Sequence, residues 1–299
     1  MPNLSVESLS LSHFRSHHVV QIDCDPRPVA IYGANGAGKT NILEAVSLLS
    51  PGRGVRRSTA EEMTRRPEAL GWKVSAVLRA QDRLHEIETW SQNGATRQLR
   101  IDGKAATQVM LGRIARVLWL IPAMDRLWIE GAEGRRRFLD RIALSFEPNH
   151  GEQVIIYEKA MRERNRLLKN QVTDAHWYRA IEGQMAATGV QIRRAREEAL
   201  AYIHAAQDQA ETAFPTAHLT LTNSENIEIS DSHDDFAELL ADYRNRDLAA
   251  GRSLAGPHRD DLFGVFAAKN VPAKDSSTGE QKALLISLIL ANGRALKDQ

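Results

Sequence analysis

Residues 33–40 read Gly33-Ala34-Asn35-Gly36-Ala37-Gly38-Lys39-Thr40. A glycine, four further residues, then Gly-Lys-Thr is a phosphate-binding pattern. The glycines let the backbone curl until several N–H groups converge on one phosphate chain. A helix starting at this point adds the positive end of its dipole. Lys39 supplies a mobile cation for the β- and γ-phosphates of a nucleotide, and the Thr40 hydroxyl can ligate Mg²⁺. The bland alternative is a glycine-rich turn with a chance lysine. The flanking sequence argues against it: Val29-Ala30-Ile31-Tyr32 predicts a strand entering the loop, and Ile42, Leu43, Ala45, Val46 and Leu49 predict a helix leaving it.

Around this loop the first 110 residues or so are rich in strand signals. Leu4, Val6, Leu9 and Leu11 alternate with one slip. Val19–Ile22 is a short β-branched run, and Lys73–Leu78, His85–Trp90 and Gln98–Ile101 predict hairpin strands bounded by Asn93-Gly94 and Asp102-Gly103. From about Arg135 to Phe214 the pattern turns helical. Ile181, Met185, Ile192, Ala195, Ala199 and Ile203 share one helix face, with Arg193, Arg194, Arg196, Glu197 and Glu198 as the expected solvated side. Strands return at His218–Leu221, Ile227–Ile229 and Leu262–Phe266, with a helix over Asp234–Ala250. Ser276-Ser277-Thr278-Gly279 then leads into an apolar helix, Ala283–Ala291. The pattern is an α/β body split by a helical insertion.

At 299 residues the chain has room for about two domains. With 42% hydrophobic and 26% charged residues it has the balance of a globular chain. No apolar run approaches the ~20 residues that span a bilayer, and the N-terminus lacks the pattern of a signal peptide. The single cysteine, Cys24, cannot close an internal disulfide, which fits a reducing cytoplasm. Flanked by Asp23 and Asp25, it has no activating cation in sequence and reads as an inert thiol. A formal net charge of +1 neither demands nor forbids a polyanionic partner, because a local patch can hide in a neutral total.

The segment Ser276-Ser277-Thr278-Gly279-Glu280-Gln281-Lys282 resembles the signature motif of ABC-type ATPases, through Ser277, Gly279 and Gln281. Without that resemblance it is an ordinary N-cap before a helix, and both readings stay open. About 240 residues separate Lys39 from Gly279. That interval is longer than in transporter subunits and shorter than in proteins with a long coiled-coil insertion. Four more segments follow in order: Phe14-Arg15-Ser16, Arg53-Gly54-Val55-Arg56-Arg57-Ser58, Gly134-Arg135-Arg136-Arg137-Phe138-Leu139-Asp140 and Gly256-Pro257-His258-Arg259-Asp260-Asp261-Leu262. With them the whole chain resembles the RecF family of bacterial DNA replication and repair proteins, an SMC-like branch of the ABC-type ATPases. Two departures stand out. Pro122-Ala123-Met124-Asp125 takes the place of the family's Pro-Glu-Asp, and no Walker B segment follows the signature helix before Gln299. The chain is therefore expected to be a family member cut short before Walker B and inactive in hydrolysis, its apolar last helix short of the strands that cover it.

The resemblance implies an α/β P-loop ABC-type ATPase head with mixed and antiparallel sheets, interrupted by a helical insertion. It implies head segments over residues 1–134 and 215–299, with a helical lever-arm domain over 135–214. It implies ATP and Mg²⁺ held by residues 33–40, with Thr40 on the metal, and Ser277, Gly279 and Gln281 reaching a partner's nucleotide in an ATP-dependent homodimer. It implies DNA as partner, duplex and gapped or single-stranded junctions included, together with RecR and RecO and indirectly RecA, in recombinational repair in the cytoplasm. Arg53, Arg56, Arg57, Arg135, Arg136 and Arg137 are the arginines expected on DNA, against the alternative that each run is a solvated face. Lys159, Arg162, Arg164, Arg166 and Lys169 form another basic cluster. Rival readings are a transporter nucleotide-binding subunit and a non-catalytic, nucleotide-gated scaffold. His258 is either functional or a structural residue at a strand start. His13, His17 and His18 lack companions at metal-ligand spacing.

Overall fold

The slip in the first strand becomes a bulge. In the computed structural model, which describes residues 4–80, 82–92, 94–223, 227 and 229–297, Val6 pairs with Leu78 but Ser8 already pairs with Val77. The extra residue returns Leu9 and Leu11 to the buried face, as a one-residue insertion must.

Contacts divide the chain into two units, Met1–Trp119 and Leu120–Gln299. In the first, β1 (Leu4–Phe14), β2 (His17–Asp23), α1 (Lys39–Ser47), α2 (Ala60–Met63), β3 (Trp72–Ala80), β4 (Arg83–Ser91), β5 (Gln98–Ile101), β6 (Lys104–Ala105) and α3 (Gln108–Ile114) follow in order. The strands form one antiparallel sheet, β2-β1-β3-β4-β5-β6. Leu9, Leu11, Val74, Leu78 and Ile87 build its core together with Ala45 of α1 and with Leu48 and Leu49 just after it. The sheet thus fixes the helix that begins at Lys39. Asp102 and Gly103, both at positive φ, turn β5 into β6. Asn93 lies outside the described residues.

The strand expected at Val29–Tyr32 does not form. These residues join no ladder, and Val29 and Tyr32 are 61% and 93% exposed. A strand exists through its neighbours' hydrogen bonds, and no described strand lies beside this one.

The second unit contains α4 (Ala132–Phe146), α5 (His150–Lys169), α6 (Ala175–Asp208), β7 (Ala217–Asn223), α7 (His233–Asp242), α8 (Arg244–Ala250), β8 (Asp260–Phe266), β9 (Val271–Pro272) and α9 (Thr278–Lys297). β7, β8 and β9 form a small antiparallel sheet. The long helix α6 has 34 residues and serves two cores. Its first half joins Tyr157, Met185, Ile192 and Phe236, and its second half joins Leu139, Ile142, Ala199, Ile203, Leu262 and Leu284. The helices after residue 132 share that second core with β8 and α9, and the division between the two units falls at Trp119/Leu120. The predicted helix Asp234–Ala250 breaks into α7 and α8 at Tyr243. Of Ile227–Ile229, Glu228 lies outside the described residues; its neighbours form no strand, and Ile229 packs near Phe236.

Two expectations are corrected here. The apolar helix α9 does not lack cover, since Leu284, Leu285 and Leu288 are fully buried in the core it shares with α6. Arg196 does not face solvent. It is buried, with Nε donating to Asp140 Oδ1 at 2.8 Å and Nη1 to Asp260 Oδ2 at 3.0 Å, because α4 and β8 pack over that part of α6. Arg194, Glu197 and Glu198 do lie at the surface. Arg164 in the basic run of α5 is likewise fully buried, bonded to Glu182, Asp247, Ser253 and the Leu240 carbonyl. Its removal strands buried Asp247 without its cation and leaves Glu182 with Arg244 alone, so Arg164→Ala is expected to destabilise the second unit by about 3–5 kcal/mol, measured by denaturant unfolding. A loss under about 1 kcal/mol would show that water reaches this network.

Candidate nucleotide-binding loop

The loop leaves residue 32 in an extended chain and enters α1 through three glycines at positive φ: Gly33 at 148°, Gly36 at 85° and Gly38 at 86°. Gly38 has two reasons to be glycine. Its backbone is left-handed, and a β-carbon there would stand 2.6 Å from the His17 ring and 2.9 Å from Ser16 Oγ. Asn41 N–H donates back to the Gly38 carbonyl at 2.9 Å, closing the first turn, and the Ala37 N–H donates to the Ala34 carbonyl at 3.2 Å. The Lys39 ammonium lies across the loop, donating to the carbonyls of Gly33 at 2.8 Å and Ala34 at 2.7 Å. Thr40 is exposed in the first turn of α1. Ala34, Asn35, Gly36 and Ala37 are exposed around the same bend. The arrangement presents backbone donors, one ammonium and one hydroxyl to a polyanion.

The turn after β1 grips this loop. His17 Nε2 lies 3.2 Å from the Gly38 carbonyl, and Asn41 Nδ2 donates to Ser16 Oγ at 2.8 Å. One turn into α1, Glu44 has no exposed surface. Its carboxylate accepts two bonds from Arg15, at 2.9 and 2.6 Å, and one from Arg56 at 3.2 Å. Arg56 also donates to Asn41 Oδ1 at 3.0 Å, and Arg15 to the Glu62 carbonyl at 2.6 Å. Sequence reading named Arg15, Ser16, His17 and Arg56 without placing them beside the loop, and it missed Asn41 and Glu44. The available signal was Glu44 itself, a lone carboxylate in the apolar run Ile42–Val46.

The signature-like segment lies in the second unit. Ser277 caps α9 reciprocally: the Ser277 N–H donates to Glu280 at 2.9 Å and the Glu280 N–H to Ser277 Oγ at 3.4 Å. Lys269 and these Ser277 bonds hold the Glu280 carboxyl down at about 2. Gly279 is open, with nothing within 4 Å of where its β-carbon would be. Gln281 is buried, and its amide donates to the carbonyls of Lys274 and Ser276 at 3.0 and 2.9 Å. It holds the approach to the helix, while Ser277 and Gly279 lie at the surface. Asp125, in the departing Pro122–Asp125 segment, pairs with Lys282 at 3.2 Å.

The arginines divide into two groups. Arg135 makes a two-pronged pair with Asp261, at 2.7 and 2.8 Å, and Arg136 donates to the Asp260 carbonyl at 2.7 Å, so both tie α4 to β8. Arg53, Arg56 and Arg57 are exposed in the first unit, and Arg137 is exposed beside Glu133. His258 is structural: Tyr157 Oη lies 2.7 Å from Nδ1 and the Ser253 carbonyl 3.1 Å from Nε2. The carbonyl requires Nε2–H to donate, which leaves Nδ1 to accept from the tyrosine. Burial drives the His258 pKa down to about 4 and that of Asp260 up to about 6. Burial, with Asp23 and Asp25, pushes the Cys24 thiol up. Among the described residues no group of three or more His, Cys, Asp or Glu side chains could hold a metal ion, and no helix is long and apolar enough to cross a membrane.

The AAA domain family matches residues 8–118. The DNA replication and repair protein RecF of Mesorhizobium japonicum is 44% identical, the match covering 97% of this chain and 79% of the relative. RecF of Brucella suis is also 44% identical, over 97% and 78%. The chain belongs to the RecF family. A solved structure of the recombination mediator RecF with ATPrS, from the RecFOR pathway, superposes with a TM-score of 0.88 at 21% identity, covering 99% of this chain and 82% of that one. The fold is the α/β P-loop ATPase head of RecF, with antiparallel sheets and a helical insertion. In this RecF-family chain Glu44 is buried against two arginines of unequal exposure, 18% for Arg15 and 40% for Arg56. Arg15→Ala is therefore expected to cost about 3 kcal/mol, and Arg56→Ala under about 1 kcal/mol. Thermal unfolding of the two variants compares them, and equal losses would contradict this ranking.

Proposed function

We propose that this chain binds ATP with Mg²⁺ at residues 33–40 and works in recombinational DNA repair and replication restart, a finer reading of the name its relatives carry, DNA replication and repair protein. The observation that carries the reading is the Lys39 ammonium resting on two loop carbonyls above a left-handed Gly38 at the start of a helix. Carbonyls are weak substitutes for phosphate oxygens, and charge-assisted bonds to phosphate are about twice as strong. Lys39 would exchange its carbonyl partners for the β- and γ-phosphates while the amides of 36–40 turn to the same oxygens. The Thr40 hydroxyl has no hydrogen-bond partner among the described residues and fits one position in a Mg²⁺ shell. Mg²⁺ is commonly held by one or two protein oxygens plus phosphates, so this site needs no carboxylate cage.

Bound nucleotide would act as dimer glue, with Ser277 and Gly279 of one copy reaching the γ-phosphate held by another. Both are exposed at the start of α9, whose N–H groups suit an anion; Gln281 supports them from behind. DNA would be held through phosphates, by Arg53, Arg56, Arg57 and Arg137, without base reading. Residues 135–214 would serve as a lever arm on a head made of 1–134 and 215–299. RecR, RecO and, through them, RecA are the proposed partners, in the cytoplasm. Lys39 touches only exposed carbonyls. Lys39→Ala is therefore expected to lower ATP affinity at least a hundredfold, about 3 kcal/mol, while leaving the melting temperature without nucleotide unchanged. Titration calorimetry and thermal unfolding measure the two. Equal ATP affinity in variant and parent would remove this loop as the nucleotide site.

A further inference from the structure

The helix α5 has two faces of opposite character. Tyr157, Ala160, Arg164 and Leu168 are buried on one side. On the other, Lys159, Arg162, Arg166 and Lys169 are all exposed. Their spacing of three, four and three residues puts them on one stripe, about 15 Å long at 1.5 Å per residue. Near its C-terminal end the stripe borders a shallow groove of about 340 Å³ lined by Arg162, Asn165, Arg166, Lys169 and Asn170. Gly251 lies against Lys169, and the chain continues from there into exposed Arg252.

The stripe is not a balanced solvated face. On α6 the exposed Arg194 is matched one turn later by Glu198 at 2.9 Å, and the half-buried Arg193 by Glu197 at 3.4 Å. On α5 only Arg162 has such a partner, Glu158 at 3.6 Å. Glu163 flanks the stripe but makes no ion pair among the described residues, and neither do Lys159, Arg166 and Lys169. The helix dipole accounts for cations in the last turn, where Arg166 and Lys169 lie, but not for Lys159 and Arg162 further back. Four cations against two carboxylates on one face cost the folded chain repulsion and return nothing within it.

We propose that this face of α5 holds the sugar–phosphate backbone of nucleic acid, resting on the DNA-binding reading above. Evenly spaced cations on a rigid helix suit a polymer with evenly spaced charges, one phosphate per about 3.4 Å of duplex axis on each strand. An acidic protein segment has no such fixed repeat. Asn165 is engaged by Ser253, but Asn170 can add a neutral donor at the groove's end. Contact of this kind positions the polymer and reads no bases.

The test uses the full chain with ATP and Mg²⁺ and measures affinity for gapped duplex DNA across a salt series. Arg166→Gln with Lys169→Gln is expected to reduce the slope of log affinity against log salt by about 2 and to weaken binding on the order of tenfold at moderate salt, equally for unrelated sequences. Arg166→Lys should keep the parental slope, and Arg194→Gln, on the balanced face of α6, should change neither quantity. All of these side chains are exposed, so melting temperatures should stay within a degree or two of the parent; a substantial drop in the double variant would assign the cations to the helix dipole instead. DNA binding by the double variant with the parental slope would overturn this surface and leave the DNA reading standing, as would loss of binding to polyglutamate with DNA binding untouched. Failure of the parent chain to bind DNA even at low salt would overturn both.

Discussion

A carboxylate with no exposed surface sits four residues beyond the threonine of the phosphate loop, and the first unit is organised around it. The oxygens of Glu44 are satisfied there by Arg15, which meets both of them, and by Arg56, which meets one. Arg15 stands in the turn that joins β1 to β2, at a positive φ, and the same guanidinium reaches the Glu62 carbonyl. One ion pair therefore ties the sheet, the helix α1 and the chain near residue 62 together. The loop of 33–38 inherits its shape from that anchor: Ser16 and His17, the next residues in the turn, press on Asn41 and Gly38. The apolar side of α1 and the turn that follows it add the non-directional share, with Ala45, Leu48 and Leu49 in the core of the sheet. Direction comes from the ion pair and depth from the apolar contacts.

The second unit uses the same device twice. Arg164 and Arg196 are buried guanidiniums, each shared between carboxylates on elements distant in sequence: Glu182 and Asp247 for the first, Asp140 and Asp260 for the second. Such pairs contribute little net stability but penalise any other packing, because each misplacement strands a charge in the core. They set how α4, α5, α6, α8 and β8 meet. His258 and Tyr157 extend the arrangement with neutral groups, and the depressed pKa of His258 follows from burial rather than from any acid–base task. What remains at the surface after these internal commitments is the part of the basic sequence free to meet a polyanion.

Much of the fold was legible in the sequence where signals are local. The phosphate loop has a fixed residue pattern, the Asp102-Gly103 turn has its own backbone chemistry, and the face from Ile181 to Ile203 recurs often enough to announce a long helix, which the structure extends over 34 residues. The slip in β1 was visible as a broken alternation before the bulge explained it. The failures are non-local. Val29–Tyr32 has strand composition, but a strand needs a neighbour, which composition does not supply. Arg164 and Arg196 read as surface charge because their partners lie tens of residues away. Arg135 and Arg136 sit in a run of three arginines, yet each is taken up by β8. Ser277 was ambiguous between cap and nucleotide contact, and the capping geometry with Glu280 leaves its exposed position compatible with both.

The central claim is that backbone amides at 36–40, shaped by glycine and by the Arg15–Glu44 anchor, form the nucleotide site. Amide hydrogen exchange of the full chain, followed with and without ATP and Mg²⁺, tests it most directly because it reads those amides themselves. The account predicts marked slowing from Gly36 to Thr40 on adding ATP, with little change across β3 and β4. Unchanged exchange at 36–40 under conditions where calorimetry shows ATP bound would contradict it and place the nucleotide elsewhere.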